Sequence, residues 1–194
     1  MNKTKLVNCF LSGRRKSISK YENQTEELQL KVLQKLIRQT IHTEWGQTHG
    51  FAQVNDYNSF TKTSPINTYE ELKGYIDRMR RGEKDVLWSG KVRWYAKSSG
   101  TTNDKSKFIP VSKECLQDTH YRGGTDAVAL YLGQNPRSRM FDGKALILGG
   151  SHSPNYNLPH SLVGDLSAIL IENVSPFVNH FRIPSKEIAL LGDF

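Results

Sequence analysis

Two short runs of aromatic and β-branched residues, Val92-Arg93-Trp94-Tyr95-Ala96 and Phe108-Ile109-Pro110-Val111, flank the segment Ser98-Ser99-Gly100-Thr101-Thr102-Asn103-Asp104-Lys105-Ser106-Lys107. Such runs read as strands, so the segment between them joins two strands as a loop. Its composition is that of an anion cradle. Gly100 lets backbone N–H groups turn toward a ligand at close range, the hydroxyls of Ser98, Ser99, Thr101 and Thr102 donate further hydrogen bonds, and Lys105 and Lys107 add charge. A Walker loop would need a second glycine directly before the Lys-Ser pair and a helix after it. Here Asp104 precedes Lys105-Ser106, and Phe108-Ile109-Pro110-Val111 is a poor helix start, so a P-loop NTPase is disfavoured.

The rest of the chain alternates helical and extended patterns, which predicts an α/β fold. Leu28, Val32, Leu33, Leu36, Ile37 and Ile41 recur at helical spacing and predict a helix over about 25–43, with a core or partner face. A second helix is predicted over 69–80. Thr68 and Glu71 form its capping box, and Leu72, Tyr75, Ile76 and Met79 its buried face. Gly82-Glu83-Lys84-Asp85 breaks it. A third helix is predicted from near Ser112 toward Leu132, with Gly123-Gly124 weakening its middle. Ala145-Leu146-Ile147-Leu148 reads as a buried strand closed by Gly149-Gly150, and further helices are predicted over 162–172 and, after a Ser185 cap, over 186–191.

The 194 residues carry a net charge of +8, and between Arg78 and Lys113 ten Lys or Arg face only Glu83, Asp85 and Asp104. That window would attract ATP or another polyanion, although lysines and arginines at helix ends and strand edges are common solvated residues. Specific nucleic-acid binding is not expected. Trp45, Trp88, Trp94, Tyr95 and Tyr131 lie within elements that need cores, and they read as packing residues rather than a base-stacking platform. Cys9 and Cys115 have no paired spacing, which indicates neither a disulfide framework nor a zinc ribbon and fits a reducing cytoplasm. The histidines show no spacing with carboxylates that suggests a metal site. Leu6-Val7-Asn8-Cys9-Phe10-Leu11 is too short and polar for a secretory signal, and no later stretch approaches a membrane span. It reads as a segment packing on its own domain. Gly149-Gly150-Ser151-His152-Ser153 lacks the final glycine of a nucleophile elbow, so a serine hydrolase is weakly indicated.

The hydroxyl-rich loop resembles the Ser/Thr-Gly-Thr-Thr-Gly-x-x-Lys signature of adenylate-forming enzymes. More narrowly, it resembles the auxin-responsive promoter family of acyl-acid amido synthetases. The match falls on Ser98, Ser99, Gly100, Thr101, Thr102, Lys107 and Pro110, and the departure is Asp104 in place of the second glycine. Thr43-Glu44-Trp45-Gly46, Pro65-Ile66-Asn67-Thr68-Tyr69-Glu70-Glu71-Leu72 and Gly149-Gly150-Ser151-His152 also resemble the family.

The resemblance implies ATP-dependent activation of a small carboxylic acid as an acyl-adenylate and its transfer to a small-molecule amine, with Mg2+ recruited by ATP itself. It assigns Ser98, Ser99, Gly100, Thr101, Thr102, Lys105 and Lys107 to the ATP phosphates, and no general base can be named. It gives His152 two readings, a lining of the acyl pocket or a structural hydrogen-bonding histidine. Members of the family are several hundred residues long. Residues 1–194 are therefore expected to form a single, partial N-terminal domain, part of the large domain of an adenylate-forming enzyme, with the C-terminal domain absent and the fragment inactive alone. The alternative is a non-catalytic anion-binding or interaction remnant.

Overall fold

The computed structural model describes residues 3–98, 106–150 and 158–191, and residues 152–154 by their backbone. In chain order the helices are α1 (Lys3–Phe10), α2 (Ser12–Ser19), α3 (Thr25–Thr40), α4 (Glu44–Thr48), α5 (Tyr57–Thr63), α6 (Tyr69–Arg80), α7 (Arg122–Gln134), α8 (Leu166–Asn173), α9 (Pro176–Asn179) and α10 (Lys186–Ala189). The strands are β1 (Trp94–Lys97), β2 (Phe108–Val111), β3 (Ala145–Leu146), β4 (His152–Pro154), β5 (Leu162–Gly164) and β6 (Arg182–Ile183). The chain folds as two compact units, one of residues 24–112 with 153–164, the other of residues 1–23, 113–152 and 165–194.

In the unit of residues 24–112, helix α6 has the bounds that its cap and apolar spacing predict. The Glu71 carboxylate accepts from the backbone N–H of Thr68 at 2.6 Å and from its hydroxyl at 2.8 Å, which closes the first turn. Ile76 and Met79 are buried with Val86, Val92 and Tyr95, and Leu72, Tyr75, Trp88, Phe108 and Val163 pack around them. Gly82 then ends the helix at φ +95°, where a side chain would also meet the His160 ring at 2.8 Å.

Helix α3 stops at Thr40, short of the predicted 43. Thr43 is extended instead, and its buried hydroxyl accepts from Gly46 N–H at 3.0 Å while donating to the Thr40 carbonyl at 2.7 Å. This turn starts α4 and lets the Glu44 and Trp45 N–H groups donate to the carbonyls of Asp85 and Val86. The α3 stripe divides. Ile37 is buried against Phe51 and Val54, with Leu33 and Ile41 beside it, whereas Val32 and Leu36 are 57% and 44% exposed.

The main sheet runs β2-β1-β5-β4. Strand β1 pairs antiparallel with β2, Trp94 opposite Val111 through Lys97 opposite Phe108, and parallel with β5, Trp94 opposite Leu162 through Ala96 opposite Gly164. The helix predicted from Leu162 therefore begins only at Leu166. The second edge of β1 captures Leu162–Gly164, and Leu162 N–H donates to the Arg93 carbonyl at 2.8 Å, a tertiary pairing that overrides local propensity.

In the other unit, α1 and α2 pack on α7 through Leu11, Ala129 and Leu132, with Val7, Ile18, Val128 and Phe141 around them. The N-terminal segment thus packs on its own unit. Arg14 grips Asp126 with two donors, at 2.5 and 2.6 Å, and the Thr4 hydroxyl donates to Asp142 at 3.1 Å. The helix predicted after Ser112 is present. Its segment Cys115–Tyr121 is π-wound, and Gly123 and Gly124 sit in open space in the first turn of α7. Tyr131 points outward, 47% exposed, and is not the packing residue expected. Ala145–Leu148 is neither a long strand nor buried. Only Ala145 and Leu146 pair with β6, and Leu146 and Leu148 are 69% and 61% exposed. The partner strand cannot continue beyond Pro184, because Ser185 is already the N-cap residue of α10 and the chain turns into that helix.

Candidate phosphate-binding hairpin

The register of β1 and β2 brings Ser98 and Lys107 together at the neck of the loop. Ser98 N–H donates to the Lys107 carbonyl at 3.0 Å, and Lys107 N–H donates to Ser98 Oγ at 3.4 Å. The two ends of the predicted phosphate loop are thus tied by one backbone and one side-chain bond. Ser99, Gly100, Thr101, Thr102 and Lys105 lie outside the described residues, as does the departure at Asp104.

Three residues that the loop motif does not contain support this neck. Tyr69, the first residue of α6, accepts the outward Phe108 N–H on its hydroxyl at 2.9 Å, and its ring lies 5.5 Å from Lys107 Nζ. Arg80, at the end of the same helix, lays its guanidinium 3.7 Å over the Phe108 ring. Its side chain is 9% exposed, with Nη1 3.5 Å from Asp77 and Nε buried without a hydrogen-bond partner. Beneath them Tyr95 is fully buried, its hydroxyl donating to the Val92 carbonyl at 3.1 Å; burial pushes its pKa up, partly opposed by Arg80. The helix α6 therefore holds β2 at both of its own ends.

The basic window is less cationic than its composition suggests. Arg78 donates to Glu44 through Nη1 at 3.0 Å and Nη2 at 2.5 Å, and also to both oxygens of Glu83. Those bonds hold both carboxyls below their ordinary range. Glu44 is far from Arg78 in sequence, so only the fold reveals this neutralisation. Lys107 is placed differently, beside an aromatic ring at the loop neck.

The second glycine-rich stretch serves packing. A side chain at Gly149 would meet Ile171 Cδ1 at 2.5 Å, and one at Gly150 would meet Asp165 Oδ2 at 2.0 Å. Gly150 N–H donates to Ser167 Oγ at 3.1 Å. The side chains of Ser151 and His152 lie outside the described residues. Among the described residues no three His, Cys, Asp or Glu side chains converge as metal ligands, and no helix is long and apolar enough to cross a membrane.

A family model described as the GH3 family N-terminal domain matches residues 14–192. The chain belongs to the GH3 family. Jasmonoyl--L-amino acid synthetase JAR6 of Nicotiana attenuata is 32% identical over 108 residues, 54% of this chain and 19% of that protein. Indole-3-acetic acid-amido synthetase GH3.6 of Arabidopsis thaliana is 29% identical over 92 residues, 47% of this chain and 15% of that protein. Among solved structures, the GH3.15 acyl acid amido synthetase superposes with a TM-score of 0.74 over all of this chain and 32% of that one, at 20% identity. The mixed α/β fold is thus that of part of a GH3 synthetase. The matched segment spans under a fifth of these curated relatives and about a third of the solved synthetase.

Proposed function

We propose that the chain is the N-terminal, phosphate-binding part of an ATP-dependent acyl-acid amido synthetase. In this reading the full enzyme activates a small carboxylic acid as an acyl-adenylate and passes the acyl group to an amine. Ser98, Ser99, Thr101 and Thr102 donate to the phosphate oxygens, Gly100 admits them at close range, and Lys105 and Lys107 balance the charge that develops on pyrophosphate. The chemistry asked of these residues is positioning and charge neutralisation, and no general base is assigned.

The observation that carries the reading is the closed neck at Ser98 and Lys107, set by helix α6 in a chain of the GH3 family. It fixes both ends of a loop whose sequence supplies hydroxyls, a glycine and a lysine, with Asn103 and Asp104 between them. The hydroxyls, the backbone N–H groups and the lysine are donors and a cation that fit phosphate oxygens, and Mg2+ belongs with the triphosphate. Small carboxylic acids and amines are the partners, in line with the acids and amino acids in the relatives' names.

The test is a calorimetric titration of the chain with ATP–Mg2+ and with pyrophosphate, alongside ATP–pyrophosphate exchange with a panel of carboxylic acids. Saturable binding of both ligands without exchange is expected, because the chain matches only about a third of the solved synthetase. Binding that is equally weak for ATP, pyrophosphate and oligonucleotides, and is lost in salt, would leave only a non-specific basic loop. Robust exchange would overturn the fragment reading.

A further inference from the structure

The first 21 residues carry six Lys or Arg and no Asp or Glu, so six of the eight net positive charges sit there. Helices α1 and α2 run through this segment almost without a break. Leu11 between them keeps helical angles, its N–H donating to the Val7 carbonyl at 2.9 Å and its carbonyl accepting from Arg15 N–H at 3.1 Å. The inner side of this helix faces α7. Thr4 and Leu11 are buried there, and Asn8 Nδ2 donates to the Leu132 carbonyl at 3.3 Å. Both arginines are engaged on that side, Arg14 by Asp126 and Arg15 by the carbonyls of Asn8 and Ala129.

The outer side is a second apolar strip. Helical spacing places Lys3, Lys5, Leu6, Cys9 and Phe10 away from Thr4 and Leu11, and all five are exposed, Leu6 at 50% and Phe10 at 86%. Leu6 and Phe10 lie one turn apart, with a lysine on either flank of the strip. On α2 the same side carries Gly13, Lys16 and Ser17, followed by Lys20, again exposed. The nearest acid along the chain is Glu22, beyond Lys20. The acids on the segments packed against this helix already have basic partners: Asp118 takes Arg122, Asp126 takes Arg14, and Asp142 takes Arg139 and the Thr4 hydroxyl. A single exposed leucine needs no explanation. An exposed Leu–Phe pair between lysines, on a face without a carboxylate, is a different surface.

Charge and shape together select its occupant. Lysines beside an apolar strip extend their ammonium groups to phosphate head groups while the strip enters the acyl boundary. A protein groove that wraps an amphipathic helix would have to strip α1 from α7, whereas a flat surface meets the outer face as it stands. We infer that the outer face of α1 and α2 docks this unit on an anionic lipid bilayer, with Leu6 and Phe10 in the interface and Lys3, Lys5, Lys16 and Lys20 at the head groups. The helix lies on the membrane and does not span it. This surface is independent of the phosphate loop and of the function proposed above.

The test is co-sedimentation of the 194-residue chain with vesicles of phosphatidylcholine alone and of phosphatidylcholine mixed with phosphatidylserine. Binding is expected to the mixed vesicles, to be absent from phosphatidylcholine alone, and to weaken as salt is raised. F10S should lower partitioning about tenfold, through loss of one apolar anchor, and K16Q/K20Q at least about tenfold, through loss of two head-group charges. These positions are exposed, so circular dichroism and melting temperature should stay native; if one variant fails to fold, the other decides. Undiminished binding by F10S would reduce the effect to the general attraction of a basic protein and overturn the site, as would undiminished binding by K16Q/K20Q. Equal binding to both vesicle types, or to neither, would also overturn it. So would self-association that F10S abolishes, seen by analytical ultracentrifugation without vesicle binding, which would assign the face to a second copy.

Discussion

The guanidinium of Arg80 lies 3.7 Å above the ring of Phe108, so the last residue of α6 is clamped onto the first residue of β2. The contact joins a helix end to the strand that leaves the candidate phosphate loop. It combines cation–π attraction with burial of the long arginine stem, and its cost is the unpaired Nε. R80A should therefore destabilise the chain by about 2 kcal/mol, through lost packing and lost stacking together. R80M should recover most of that loss, because an apolar side chain of similar length fills the site without a buried charge. Urea denaturation of the three proteins checks this, and equal stability of R80A and wild type would show that the stack contributes nothing.

Tyr69 supports the hairpin by accepting the Phe108 N–H. Y69F removes that acceptor and leaves the donor with water or nothing. A loss of about 1 kcal/mol in stability is expected, with a weaker hold on the loop. K107A should leave the melting temperature nearly unchanged and lower affinity for pyrophosphate about tenfold, the cost of one charge-assisted contact. Replacing Asp104 by glycine, which restores the pattern this loop otherwise resembles, should raise that affinity. Calorimetry on the three variants separates neck from ligand contacts, and unchanged pyrophosphate binding by K107A would remove Lys107 from the site.

Glycine is required at positions 46 and 82 for different reasons. A Cβ at Gly46 would lie 2.1 Å from the Thr40 carbonyl oxygen, which is backbone and cannot step aside. G46A should cost at least about 2 kcal/mol, and trimming neighbouring side chains should not recover it. At Gly82 the obstacle is the His160 ring at 2.8 Å together with φ of +95°. G82A should cost about 2 kcal/mol, and H160A should rescue only the steric part, because the backbone strain remains. A double-mutant cycle by denaturant titration measures the split; full rescue would show that the strain is negligible.

Acid should weaken the fold through a small group of carboxylates. Arg78 holds Glu44 and Glu83 below the ordinary range, and Thr68 does the same for Glu71. A carboxyl whose folded-state pKa is depressed binds more protons when unfolded. Its stabilisation is present above the ordinary carboxylate value and is lost as pH falls through the depressed one. Stability should thus be level near neutral pH and decline below about pH 4.5, where carboxylates of ordinary pKa begin to protonate. R78M removes the cause for Glu44 and Glu83 and leaves the other depressed carboxylates, such as Asp56 and Asp142, in place, so its decline should be shallower. Parallel slopes for R78M and wild type from pH 6 to the acid limit would contradict this, the range being about that in which carboxylates titrate.

The elements that could be read from the amino-acid order are those stabilised within a few residues of themselves. Helix α6 emerges with its bounds because Thr68, Glu71 and the apolar positions from Leu72 to Met79 all act within one helix. The strands on either side of the loop, and hence the closeness of Ser98 and Lys107, follow from local β-formers in the same way. Tertiary structure decided the rest. Leu162–Gly164 became a strand because β1 offered an open edge, and the strand over Ala145–Leu148 shrank because its partner gives way to α10 after two residues. Val32 and Leu36 share the helical spacing of Ile37, yet only Ile37 meets Phe51 and Val54. Tyr69, Arg80 and Phe108 gather at the loop neck through contacts between segments far apart in the chain. Periodicity records which residues share a face; which face finds a partner is set by the packing of distant segments.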